Sequence, residues 1–593
     1  AAPNAPEPGP APGSGEGRLD TLFARVRLVD GTGSPARDAD VGVRDGRIAR
    51  IAAPGGLAAD AARVVDGDGL VLAPGFVDPH THYDAQLLWD PLATPSSLHG
   101  VTTVVGGNCG FTIAPLAGDD DADYLRRMLA KVEGMPLAAL EQGLAWDWRG
   151  FGDYLARFEG RIAVNAAFLV GHCALRRAVM RERAVGNAAT PSEIDAMVAL
   201  LHASIEAGGL GFSTSLSFTH TDGEGRPVPS RWAERDEVLA LCRALRDHEG
   251  TTLEWIVDGC LKGFTDEEIE LATEMALAAG RPANWNVLTV DAQSAERVAR
   301  QVELSERAAE RGARIVALTM PTIAGMCASF GTHSALHSIP GWAPVMQLPV
   351  PERIAKLRDA DVRRELDARA RSKEAGVFAG LARWGDYRIG TTFAEANAGL
   401  EGRRIADVAR ERGASAFDAL LDVVVADGLR TVLWPSQPGE DDASWALRAR
   451  TWEHPYVMLG GSDAGAHLDR MCGSSYPTAF LRDVLRGRRL VPLERAVAMM
   501  SGEPAELFGL RDRGLVREGF VADLVLFDPE RVDAAEPAFH DDLPGASRRL
   551  TADAIGVRGV WVGGVRTLED GSPTGALPGR VLRPGADTRT ASL

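Results

Sequence analysis

Several features are scarce in this chain of 593 residues, and each scarcity excludes something. Cysteine occurs six times, at positions 109, 173, 242, 260, 327 and 472. That is too sparse for a disulfide framework, so reduced thiols and a cytoplasmic setting are expected. No apolar run approaches the roughly 18 residues that a membrane-crossing helix needs, so no membrane association is expected. Basic residues are outnumbered, 64 Lys and Arg against 82 Asp and Glu, for a net charge of -18. No Lys/Arg-rich face emerges to neutralise phosphates, which argues against a nucleic-acid partner, and the acidity serves solubility. A Gly-x-Gly-x-x-Gly opening a helix after a strand, a Walker-type Lys-Ser or Lys-Thr and a Gly-x-Ser-x-Gly elbow are all missing, so nucleotide and serine-hydrolase readings lack support. The Ala/Pro/Gly-rich N-terminus has no apolar core and reads as a disordered tail over 1–18 rather than a secretory signal.

What is present is an ordinary globular composition, 45% apolar and 25% charged, in a chain longer than one hydrophobic core sustains, so a large domain plus a smaller one is expected. Short alternating segments with Gly-rich turns fill 19–74 and recur near 519–527 and 554–562. They suggest a small β-sandwich domain built from both chain ends, 19–74 plus 508–593. Over 75–507, β-branched runs alternate with helical stretches, the rhythm of an α/β fold of the (β/α)8 TIM-like barrel kind. Strands are expected to end at His82, Cys109, His172, Ser217, Asp258, Val290, Met320 and Asp463, with helices over 191–207, 234–248, 265–279 and 294–311. An insertion at about 321–453 is expected to act as a lid or substrate-binding region, and substrate selectivity is expected there.

The most informative stretch is Gly75-Phe-Val-Asp-Pro-His-Thr-His82. Two histidines at i and i+2 on a strand point to the same face, so both imidazoles can reach one divalent ion at the strand's end. Cys109, within Asn108-Cys-Gly110, and Asp463, within Gly461-Ser-Asp463, add a thiolate and a carboxylate. Together His80, His82, Cys109 and Asp463 supply the ligand types that zinc accepts, and one zinc ion is the expected cofactor. Barrel active sites lie at the carboxyl ends of the strands, where these residues fall. Asp463 is the candidate general base and later acid. His172 is the candidate to meet an oxyanion, with a hydrogen-bonded structural histidine as the alternative. Arg176 and Arg470 are candidates for gripping a substrate carboxylate, and His220 for lining the substrate site or approaching the metal, with a surface-loop histidine as the alternative. Glu254 and Asp258 could supply oxygen ligands, with pairing to Arg as the bland alternative.

The segments 71–84, 100–105 with Asn108-Cys-Gly110, 164–176, Gly461-Ser-Asp463 and 519–528 resemble the amidohydrolase superfamily, and within it the D-aminoacylase or N-acyl-D-amino-acid deacylase family. The resemblance implies a metal-bearing barrel that hydrolyses the amide of an N-acylated amino acid, with His80, His82, Cys109 and Asp463 at the family's metal positions. It favours that branch because the family uses a Cys where most of the superfamily has a carboxylated Lys. Two of the family's histidine ligands are absent: Trp255 stands where one is expected and Val287 or a neighbour where the other is. One metal position is therefore expected, with Trp255 filling the place of the second and narrowing the pocket. The partner expected is a small-molecule substrate, with homo-oligomerisation open. The other readings are a metal-poor relative with a binding role and a cyclic-amide or carbamate hydrolase.

Overall fold

The computed structural model describes residues 18–57, 61–323, 325–331, 334–437 and 439–593. Apart from Arg18, the expected N-terminal tail lies outside the described residues. Eight parallel strands run through the centre: β1 (Phe76–Asp78), β2 (Val101–Gly106), β3 (Asn165–Phe168, continued by Val170–Gly171), β4 (Gly211–Ser215), β5 (Thr252–Ile256), β6 (Ala283–Trp285), β7 (Ile315–Thr319) and β8 (Val457–Leu459). Every residue in them is buried. Parallel strands are covered on both faces, which is why they read as near-continuous apolar runs. Each expected strand is found, ending one to five residues before the predicted residue.

The strands form two parallel arcs rather than one continuous ladder. β1, β2 and the first half of β3 make a three-stranded sheet, and the second half of β3 through β8 a six-stranded one. β3 passes from one arc to the other across Leu169. On the opposite side a single parallel bridge joins Thr81, just past β1, to Ala464, just past β8. The arrangement is TIM-barrel-like.

Helices lie between the strands at Pro191–Glu206, Arg235–Ala244, Asp266–Ala279 and Ala295–Glu310, within a few residues of the expected spans. Their starts follow from local chemistry. Thr190 and Thr265 accept the backbone N–H of Glu193 and Glu268, whose carboxylates reach back, satisfying donors that the first turn leaves orphaned.

The chain ends pair with each other. Val71–Pro74 lies between Leu19–Leu28 and Leu524–Phe527 in a nine-stranded sheet that runs on to Val557–Val562 and Val565–Glu569. One core cluster holds Phe23, Val41, Leu72, Leu524 and Trp561, with the Phe23 and Trp561 rings 4.7 Å apart, so it forms only when both ends meet. Between β7 and β8, Ala328, Trp342, Trp384, Phe417 and Leu433 belong to a separate core. Among the described residues no helix is long and apolar enough to cross a membrane.

Candidate metal centre

Backbone hydrogen bonds just past β1 and β8 hold the two histidines. Thr81 N–H donates to Val105 O at 2.9 Å, His82 N–H to Ala464 O at 2.7 Å and Asp463 N–H to His80 O at 3.2 Å. Thr81 is thereby held against the β2 side, leaving His80 and His82 on one face with ring centroids 5.3 Å apart. Past β2 the chain turns sharply through Gly107, Cys109 and Gly110, all in the left-handed region. A Cβ on Gly107 would sit 2.3 Å from Leu169 O, so only glycine fits there. Asn108 pins the turn by donating to Thr81 O at 3.0 Å and Val105 O at 2.9 Å.

His80, His82 and Cys109 offer ligand atoms that all lie within 4.8 Å of one another, every residue buried. Cys109 Sγ is 3.6 Å from His80 Nε2. Asp463 Oδ1 stands 3.4 Å from His80 Nε2 and 3.2 Å from His82 Nε2. Donors about 2.0–2.3 Å from one tetrahedral ion lie about 3.3–3.6 Å from each other, so these four side chains fit a zinc-sized ion. His80 Nδ1 and His82 Nδ1 are buried without a protein hydrogen-bond partner. Asp463 keeps 23% of its side chain accessible, which makes it the member of the set that faces the mouth.

The electrostatics also call for a cation. Burial alone would lower His82, but Glu133 and Asp463 outweigh it and hold its pKa up at about 10. Burial, only partly offset by Asp463, keeps His80 below its usual value. Burial raises Glu133 to about 7, against the pull of His82 and with Asp463 adding to the rise. Burial likewise raises Asp84 to about 6. Burial, and then the adjacent Glu254, push the Cys109 thiol well above its usual range. A thiol so placed becomes a thiolate beside a cation.

Two participants escaped sequence reasoning. Glu133 caps the helix Asp119–Val132 and brings Oε2 to 3.6 Å from His82 Nε2. A helix-terminal glutamate carries no local signal of this. His467 places Nε2 3.6 Å from Asp463 Oδ2, and its spacing of four from Asp463 was the available hint.

The other predicted residues separate. His172 is fully buried, with Nδ1 2.8 Å from Thr214 Oγ1 and Nε2 2.9 Å from Glu237 Oε1. Arg176, also fully buried, donates to Glu237 Oε1 at 2.6 Å and to Asn187 O at 2.7 Å. Of the two readings for His172 the structure holds the hydrogen-bonded structural one rather than the oxyanion contact, and the expectation for Arg176 is corrected, because its guanidinium pairs with Glu237 in the same network behind β3 and β4. His220 lies nearer the site, with Nδ1 2.7 Å from Ser215 Oγ and its ring 5.0 Å from Phe111. Burial and then the charge of His82 depress it to about 3, so it is neutral. Arg470 is 8% exposed and donates to Asp469 Oδ1 at 2.6 Å, packed close to Gly134. Asp258 accepts from Phe218 N–H at 2.6 Å and borders Lys262 at 3.6 Å, outside the cluster.

The expectation for Trp255 is overturned. Its ring packs against Phe264 and stacks with Trp285 in the hydrophobic core, at 6.0 and 6.4 Å. Because side chains alternate along a strand, the neighbour Glu254 takes the opposite face. Glu254 accepts the Cys109 N–H at 2.7 Å with Oε2, and its Oε1 is 3.9 Å from both Cys109 Sγ and His80 Nδ1. Trp285 likewise packs into that core, which leaves Asn284 and Asn286 for the other face of β6 and its extension.

A parallel-stranded barrel-like core with a His/His/Cys/Asp cluster at the strands' carboxyl ends defines a metal-site hydrolase scaffold. Residues 63–568 match the amidohydrolase family, and the chain belongs to it. It is 32% identical over 581 residues to an N-acyl-D-aspartate deacylase of Alcaligenes xylosoxydans xylosoxydans, covering 96% of each chain. It is also 32% identical over 570 residues to a D-aminoacylase of the same organism, covering 95% of this chain and 97% of that one. Among solved structures, a D-aminoacylase described as defining a novel subset of amidohydrolases superposes with a TM-score of 0.63 at 29% identity, covering 95% of this chain and all of that one. An N-acyl-D-glutamate deacylase from Bordetella bronchiseptica, solved with zinc and a phosphonate mimic of the tetrahedral intermediate, superposes with a TM-score of 0.61 at 26% identity, covering 96% of this chain and 100% of that one.

Proposed function

We propose that this protein is a metal-dependent amide hydrolase that removes the acyl group from N-acyl-D-amino acids, with zinc held by His80, His82, Cys109 and Asp463. The single observation that carries the reading is the spacing of those four donors at the ends of three parallel strands, with the buried carboxylates of Glu133 and Glu254 flanking them. The deacylase relatives, similar over nearly the whole chain, supply the substrate class. The architecture we infer around it is an eight-stranded barrel over 75–507 closed across Thr81 and Ala464, a β-sandwich from 19–74 plus 508–593, and the 321–453 insertion as a lid.

When bound, the ion supplies Lewis acidity that polarises the amide carbonyl and makes water a stronger acid. The chain's own groups handle the protons. Asp463 takes one proton as water oxygen adds to the carbonyl carbon, then delivers it to the leaving nitrogen as the C–N bond breaks, yielding a carboxylic acid and a free amine. His467 faces the second oxygen of Asp463 and orients it. Neutral His220 presents an uncharged ring beside the cluster, suited to substrate contact rather than charge pairing. Arg470 remains the candidate for a substrate carboxylate.

The test is release of free amine from N-acetyl-D-amino acids and their L enantiomers by zinc-loaded protein. Turnover of the D series is expected. Absence of turnover across neutral and acidic side chains, with zinc bound, would overturn the proposed reaction.

A further inference from the structure

The proposed metal centre spans a seam in the barrel. His80 and His82 follow β1, Asp463 and His467 follow β8, and those two strands share no ladder, only the bridge from Thr81 to Ala464 with its backbone hydrogen bonds. A hairpin from the C-terminal part of the chain, Ala538–Leu543 paired with Ser547–Thr551, reaches both sides of that seam. On the β8 side Leu550 N–H donates to Leu468 O at 2.6 Å, one residue past His467, and Leu543 packs with Leu468 and Ala139. On the β1 side Arg549, 6% exposed, donates through Nη1 to Asp90 Oδ2 at 3.1 Å and Thr94 O at 2.9 Å, and through Nη2 to Thr94 Oγ1 at 2.9 Å. Its Nε and Nη2 return to Asp542 on the facing strand at 2.9 and 2.7 Å, so every N–H of the guanidinium has an acceptor. Asp90 and Thr94 lead back to a metal ligand. Gln86 Nε2 donates to the same Asp90 Oδ2 at 3.0 Å and to Thr94 O at 2.8 Å, and Gln86 ends the helical turn Tyr83–Gln86 that starts directly after His82.

We propose that this hairpin clamps the two sides of the metal centre together and that Arg549 is its positioning residue, fixing the separation of His82 from Asp463. The inference rests on the zinc centre proposed above. Neighbouring residues of one strand make both contacts, Arg549 with its side chain and Leu550 with its backbone, so the hairpin sets the distance between the two loops. Groups that orient metal ligands without touching the ion typically change metal affinity or activity about 10–100-fold. Lysine cannot replace arginine here, because a single ammonium lacks the planar fork that serves Asp90, Thr94 and Asp542 at once. Without Arg549, Asp90 still accepts from Gln86 and from Thr94 N–H at 3.1 Å, so the β1 loop keeps its local fold and loses its tie to the hairpin.

The experiment loads the full chain with one equivalent of Co2+, whose visible bands report the symmetry of the donor set and whose thiolate charge-transfer band reports Cys109. Wild-type protein is expected to bind the ion and show both. Arg549→Gln and Arg549→Lys should each shift or weaken the visible bands, weaken Co2+ binding about 10–100-fold and lower kcat about tenfold, with KM within about threefold of wild type. Arg548→Gln, on the same strand, removes an exposed pair with Asp541 at 2.8 Å and should change none of these. Asp542→Asn weakens the hairpin side of the clamp and should shift the bands in the same direction; it serves if the Arg549 variants do not fold. Folded Arg549 variants, or Asp542→Asn in their place, with the wild-type spectrum and Co2+ affinity overturn the clamp, as does an equal shift from Arg548→Gln. Wild-type protein that binds neither Co2+ nor Zn2+ overturns the metal centre itself, so the two failures are distinguishable.

Discussion

Two buried constellations in this protein contain the same side-chain types and behave oppositely. Around Cys109, histidines and carboxylates crowd at 3.2–3.6 Å with orphaned ring nitrogens. Behind β3 and β4, His172, Glu237 and Arg176 close on one another at 2.6–2.9 Å, and both nitrogens of His172 are satisfied. Buried histidine beside carboxylate is therefore not itself a sign of chemistry. What distinguishes the metal cluster is that both of its histidines keep a buried ring nitrogen with no protein partner, whereas both ring nitrogens of His172 are paired.

The contrast is broken most forcefully at Asp463. Asp463→Asn should reduce kcat by about 10²–10⁴-fold, since the amide keeps the shape but lacks the basicity, while thermal unfolding stays close to wild type. Zinc content measured on the same sample separates lost basicity from lost ligation. A variant with most of its rate would remove Asp463 from the chemistry.

The closed network should respond in the other currency. Glu237→Ala leaves the Arg176 guanidinium buried without its counter-charge, at a cost of about 3–5 kcal/mol of stability, read as a lowered denaturation midpoint. Molecules that remain folded should bind zinc as before. A loss of zinc with unchanged stability would mean that this network belongs to the site after all.

His99 sharpens the comparison as a further buried histidine, held between Thr478 Oγ1 at 2.6 Å and Ala552 O at 2.9 Å. Burial lowers its pKa from 6.5 to about 4. The unfolded chain takes up this proton near pH 6.5 and the folded chain only near pH 4. Stability is thus full above pH 6.5, falls as pH drops from 6.5 towards 4, and levels off below. The total loss from this group is up to about 3 kcal/mol. Denaturant titrations across that window check it, and His99→Gln should flatten the slope.

The smallest effect is expected at Trp255. Trp255→Phe should cost about 1–2 kcal/mol, because part of the ring's packing against Phe264 and Trp285 is lost, and it should leave the bound zinc unchanged. A change in metal stoichiometry would show that the ring faces the metal centre rather than the core.

Much of the architecture was legible. β2 reads as Val101-Thr-Thr-Val-Val-Gly106, apolar and β-branched, and a strand of that composition has few other fates. The Thr190 and Thr265 capping boxes announce their helices. The site was legible in part: His80, His82, Cys109 and Asp463 do converge, whereas Glu133 and His467 come from a helix end and a loop that only packing brings near. His172 and Arg176 misled because strand-end histidine and a nearby arginine look the same in sequence whether they face substrate or each other.

The sequence by itself determined that His80 and His82 share a face, because the two-residue period of an extended chain is a local property of the backbone. It could not determine the phase of that period in β5. Leu253-Glu-Trp-Ile256 has two faces, and which one meets the metal centre depends on where Phe264 and Trp285 offer a hydrophobic slot for an indole. Burying Trp255 there removes a large apolar surface from water, and the rotation that achieves it turns Glu254 toward Cys109. The carboxylate's place in the site was decided by the packing of its neighbour.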